Sequence, residues 1–225
     1  MEVIHNDVRQ NTYVRNENGE KVARAIVLTE DGMCLTAFWS RLLCGFGLEE
    51  KFNPILVMEN VIPLFDKSFN YKIVDFKEWH WSIFQPAFYN PERNEIIIRS
   101  DTYENALAGN TMDIITIAHE VSHCIQSIVL RILNAMQCVE FKTELCKINS
   151  EEMSHHELQT DRITSLILSP SRLTEGKSDD EILEQYFVKP LMQIVIGIIK
   201  AVGKEFLDSL SKMPVIVKEV EKCAV

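Results

Sequence analysis

Ten residues near the middle of the chain, Thr116-Ile117-Ala118-His119-Glu120-Val121-Ser122-His123-Cys124-Ile125, constrain the fold most. They set His-Glu-x-x-His in an apolar, uncharged frame. On a helix, positions i and i+4 share a face, so His119 and His123 can reach one ion together. Glu120 lies about 100° further round, where it can touch a water on that ion without ligating it. Two neutral imidazoles, an open metal position and a carboxylate base are the parts of a zinc hydrolase. The neighbours Ile114, Ile115, Ile117, Ala118, Val121, Ile125, Ile128, Val129 and Ile132 are apolar almost all round, which predicts a central helix of the core. The plain alternative is two core histidines with satisfied hydrogen bonds and a surface Glu. Three polar groups in so apolar a helix cost free energy unless something pairs with them, which favours the metal.

Zinc takes a third protein ligand and then water. The continuation His-x-x-Gly-x-x-His fails here, because those two further positions hold Gln126 and Val129. A carboxylate on a second helix is the other common solution. Downstream, Glu157 and Asp161 stand at i and i+4 and face the same way. Glu157 can ligate. Asp161 can accept the second ring N–H of a ligand histidine and fix its tautomer. His155, His156, Glu144 and Glu151 are rivals for the third position. Adjacent His155 and His156 diverge by about 100° on a helix, so at most one of them faces the ion.

Glu-x-x-x-Asp after His-Glu-x-x-His resembles the gluzincin branch of zinc peptidases. More closely, Thr116 to His123 and Glu157 to Pro170, ending Leu166-Ile-Leu-Ser-Pro170, resemble the compact ImmA/IrrE-type metallopeptidase domain. Prophage exclusion peptidases of the Lit type are a vaguer likeness. The resemblance covers roughly residues 80–170. It implies His119, His123 and Glu157 as metal ligands, Glu120 as the base and Asp161 behind a ligand. Thr160, Thr164 and Ser165 stand where those families prefer alanines, and His155 and His156 are extra.

At 225 residues and 46% apolar content, one domain with a sizeable core is expected. A net charge of −10 argues against nucleic-acid binding, which needs basic patches. The cysteines, Cys34, Cys44, Cys124, Cys138, Cys146 and Cys223, have no Cys-x-x-Cys spacing and read as reduced thiols. No basic, apolar leader follows Met1, and no stretch reaches the length of a membrane span, so a cytoplasmic chain is expected. Signal-independent export stays open.

The expected class is α+β and zincin-like: a small mixed sheet packed on a central active-site helix, with further C-terminal helices. Residues 1–70 read as an N-terminal elaboration, 71–170 as the catalytic core and 171–225 as C-terminal helices. Strands are expected at 23–29, 71–76 and 95–99. Helices are expected at 33–43, stopped by Gly45 and Gly47, from Asn53-Pro54 to about Phe65, and from Asn110 or Thr111 to about Gln137. Phe141–Lys147 reads as a connector or short helix, and the second site helix runs from Ser150 to near Pro170. Helices at 181–188, 191–202 and 205–210 follow. The aromatic run from Trp79 to Phe88 reads as core or cleft wall. By analogy with zincins, 94–99 is expected at the sheet edge, where it would hold an extended peptide by backbone pairing; the alternative is an inner strand.

The expected function is a zinc-dependent metallopeptidase cleaving a specific protein or peptide substrate, with Zn2+ as cofactor and no nucleic-acid or membrane partner. Tyr103, Tyr186, His155, His156 and Arg162 are candidate oxyanion donors. A second reading is a regulatory or partner-binding protein on a zincin scaffold, with a structural or vestigial metal closed by a fourth ligand. A metal-free helical core protein is a third.

Overall fold

The computed structural model describes residues 13–15, 18–19, 21–135, 142–147 and 151–188. In chain order the elements are β1 (Tyr13–Arg15), β2 (Lys21–Val27), α1 (Glu30–Leu43), α2 (Pro54–Leu56), α3 (Ile62–Phe65), β3 (Asn70–Val74), β4 (Ala87–Asn90), β5 (Glu95–Arg99), α4 (Ser100–Leu107), α5 (Thr111–Ala135), β6 (Lys142–Lys147), α6 (Glu151–Leu168), α7 (Ser171–Thr174) and α8 (Asp179–Leu183). A π turn, Val57–Val61, joins α2 to α3, and a second, Glu184–Val188, follows α8. In the first, the Ile62 N–H reaches back to the Val57 carbonyl, just before Pro63 removes a donor from the ladder. The class is α+β.

Local chemistry sets the main helix ends. Thr29 caps α1 by accepting from the Gly32 N–H, so the helix starts before the Asp31-Gly32 turn that the sequence suggested. Gly45, at φ 81°, takes the left-handed conformation that ends it. Asn53 caps α2 through the Leu56 N–H. Asn110 Oδ1 accepts from the Met112 and Asp113 amides at the start of α5.

Two small sheets flank the helices. One is antiparallel, in the order β1-β2-β6. Its third strand corrects the expectation for 141–147: residues 142–147 pair with β2 from Val22↔Lys147 to Val27↔Lys142. The other is mixed, in the order β3-β5-β4, with β3 parallel and β4 antiparallel to β5. The 94–99 strand is therefore central, not the edge; its backbone bonds go to neighbours on both sides. β4 takes the edge on the side of α5.

α5 is the middle of the molecule. Every residue from Glu120 to Leu130 is buried, and α1, α2, α4, α6 and β4 all pack on it. Fully burying each Leu, Ile or Val of its core face contributes about 1.5–3 kcal/mol. α1 lies across both α5 and α6. Arg41 of α1 is 1% exposed, and its guanidinium donates to the carbonyls of Ile167, Gly47 and Glu50, tying three segments together.

The aromatic run lies outside the core. Trp79, Trp81 and Phe88 pack on one another, with Trp81 to Phe88 centroids 4.9 Å apart, and Phe84 in the same loop is 90% exposed. Cys34, Cys44 and Cys124 are free thiols. Among the described residues, no helix is long and apolar enough to cross a membrane. The expected helices beyond residue 188 and the segment 136–141 lie outside the described residues.

Candidate metal centre

Helical periodicity brings the site together. His119 and His123 project from one face of α5, and Glu157 meets them from α6, which packs alongside. The Nε2 atoms of His119 and His123 are 3.1 Å apart. Glu157 Oε2 is 3.3 Å from each of them. Four-coordinate zinc with bonds of 2.0–2.2 Å sets its ligand atoms about 3.3–3.6 Å apart, so the three donors fit one small ion with little adjustment. Together these side chains could hold a metal ion.

The surroundings orient them. His119 Nδ1 lies 2.8 Å from Asp161 Oδ1. That contact places a proton on Nδ1, so that in the neutral ring it is Nε2 that carries the lone pair and faces the shared position, while in the protonated ring Nε2 donates to Glu157. His123 is 4% exposed, and the Tyr89 ring stacks on it at a centroid distance of 6.2 Å. Glu120, 9% exposed, accepts a 2.7 Å hydrogen bond from the Tyr89 backbone N–H. The edge strand β4 thus holds the carboxylate beside the two histidines.

Tyr89 is itself anchored. Its hydroxyl donates to Asn94 Oδ1 at 2.9 Å. Asn94, at φ 52°, uses its amide to donate to Asp66 Oδ2 and Ser68 Oγ. Asn is one of the few side chains that adopts this left-handed backbone readily.

Electrostatics follow from this packing. Burial alone would depress the His119 imidazole. The Glu157 hydrogen bond and the charges of Glu120, Glu157 and Asp161 outweigh burial and hold it above its ordinary value. Burial also opposes ionisation of Glu157, but its bonds to His119 and His123 win and hold its carboxyl well below the usual range. Burial pushes Glu120 up, against the pull of His123, His119 and the Tyr89 amide. His156 is pushed down to about 4, by burial first and by His123 second.

The rivals fall into place. His156 is 3% exposed and lies behind His123, outside the donor set, with ring centroids 6.3 Å apart. The side chains of Glu144, Glu151 and His155 lie outside the described residues. The candidate oxyanion donors have partners elsewhere: Tyr103 donates to Glu59, Tyr186 to the Leu173 carbonyl, and Arg162 to Glu30. The residue that sequence reasoning missed is Tyr89, because a backbone amide leaves no signature in residue type.

Compared with known proteins, the chain matches no family model, and no curated protein or solved structure gives a significant match.

Proposed function

We propose that the chain is a zinc-dependent metallopeptidase of zincin type that cleaves a specific protein substrate. The observation that carries this reading is the joint placement of three donor atoms, within 4.8 Å of one another, beside a carboxylate that does not join them. Two imidazoles and one carboxylate are a donor set that suits zinc and leaves a coordination position open. Among the described residues no fourth His, Cys, Asp or Glu joins the three, which favours an open site over a closed structural one.

A zinc ion held there supplies Lewis acidity that polarises a carbonyl and lowers the pKa of a water to about 7. The protein's own part is positional and proton-handling. Asp161 fixes the His119 tautomer and ring direction. Glu120 takes the proton of the attacking water and delivers it to the leaving amine. Tyr89 keeps the Glu120 carboxylate turned to the site through its backbone amide. As the sheet edge nearest α5, β4 is where an extended substrate would lie.

Glu120→Gln tests the assignment. The variant should fold and keep its metal, while cleavage of a protein-derived peptide library, readable for the wild type by mass spectrometry, falls to background. A variant that cleaves as the wild type does would overturn the reading.

A further inference from the structure

A ligand histidine needs a partner on its second ring nitrogen, since that bond sets tautomer and aim. His119 has Asp161. The other ligand on α5, His123, has a buried Nδ1 that meets no hydrogen-bonding atom among the described residues. Across the same interface, α6 turns His156 inward, 3% exposed, and one turn later Thr160, 0% exposed. Both ring nitrogens of His156 and the Thr160 hydroxyl oxygen are also buried with no hydrogen-bond partner among the described residues.

Three such nitrogens on two adjoining rings, with a fourth atom one helical turn along α6 from His156, are not a neutral packing choice. Each buried polar atom left unsatisfied carries the cost of its lost hydration with nothing to offset it. A leucine at 156 would fill that volume without the cost. The rings of His123 and His156 have centroids 6.3 Å apart and lie at 64°. No direct hydrogen bond joins the two rings at these nitrogens, and rings at this spacing are within reach of each other through one bridging water. An enclosed water of this kind needs two to four polar partners, and His123, His156 and Thr160 offer them.

We propose that His156 is a positioning residue for His123: with Thr160 it holds one enclosed water that accepts the His123 Nδ1–H and so aims Nε2 at the metal. The water's protons go to a His156 ring nitrogen and to Thr160 Oγ1. The inference rests on the metal reading of the site and adds to it an anchor on α6 for the second imidazole, matching Asp161 on the first.

Zinc affinity, measured by competition with a chromophoric chelator, tests this alongside thermal unfolding of the metal-free protein. His156→Leu should weaken zinc binding about 10–100-fold, as loss of such an outer partner does, while the metal-free protein melts no lower than wild type. His156→Asn or His156→Gln, which put an amide at one or other ring-nitrogen position, should recover most of the affinity. Thr160→Val, an isosteric loss of the hydroxyl, should weaken zinc by a smaller factor. It also carries the test by itself if His156→Leu does not fold. Wild-type affinity in His156→Leu, or in Thr160→Val where the leucine variant does not fold, overturns the proposal and leaves the metal reading standing. A wild type that binds no zinc overturns both, and is seen before any variant is compared.

Discussion

His119 is bonded on both sides of its ring by one helix: Asp161 Oδ1 lies 2.8 Å from Nδ1, and Glu157 Oε2 lies 3.3 Å from Nε2. Glu157 and Asp161 are one turn apart on α6. That spacing lets them flank one imidazole, with Glu157 beside both Nε2 atoms where a metal ion could be held and Asp161 behind the ring.

Removing the outer carboxylate should loosen the metal without unfolding the protein. Asp161 has a side chain 62% exposed, so the fold does not depend on it. Asp161→Ala is expected to weaken zinc about 10-fold or somewhat more, with Asp161→Asn intermediate because the amide oxygen still accepts. Chelator competition measures both, and an unchanged melting temperature of the metal-free protein checks the fold.

Metal affinity should fall with pH. His119 must be neutral to ligate, and its neighbours hold its pKa above the ordinary imidazole value. Protonation therefore competes from a higher pH than for a free histidine. Zinc affinity is predicted to drop by about tenfold per unit of falling pH for each proton displaced, beginning above the pH at which a free imidazole titrates. Titrations at several pH values read the slope, and a flat profile contradicts the assignment of His119 as a ligand.

Much of this site was readable from the chain because it is local. The i, i+4 repeats on α5 and α6 singled out His119, His123, Glu157 and Asp161, with Glu120 beside them, and Asn53, and Asn110 or Thr111, marked helix starts. What escaped reading is non-local. Residues 142–147 look like a connector until β2 pairs with them. The 95–99 strand lies at the centre of its sheet only because β3 and β4 add on either side. Tyr89 reaches Glu120 by a backbone atom, and the burial of His156 depends on how α6 meets α5.

Alkaline stability should report on a contact remote from the site. Tyr103 donates to Glu59, and that bond, with burial and the Glu59 charge, lifts the phenol to about 12. The unfolded phenol titrates at about 10. A raised folded value means the contribution is complete below the unfolded value and lost as pH rises from there through the folded one. Tyr103→Phe should therefore lower the melting temperature at neutral pH and narrow its difference from wild type above the unfolded value. Melting curves of both proteins from pH 7 to pH 11 test this.

The Arg41 staple should be the most sensitive polar position in the scaffold. Arg41→Ala strands the carbonyls of Ile167, Gly47 and Glu50 and removes a fully buried side chain. A loss of about 2–4 kcal/mol is expected, read as a lower urea midpoint at unchanged slope. Arg41→Lys should recover only part, since one ammonium cannot span all three acceptors in the guanidinium's planar geometry.

The most direct test of the account is elemental analysis of wild type and Glu157→Ala, purified side by side without added metal. The prediction is close to one zinc per wild-type chain and a marked deficit in the variant, with matching far-ultraviolet circular dichroism. Equal metal in both, or none in the wild type even after zinc is supplied, would contradict a centre built from His119, His123 and Glu157.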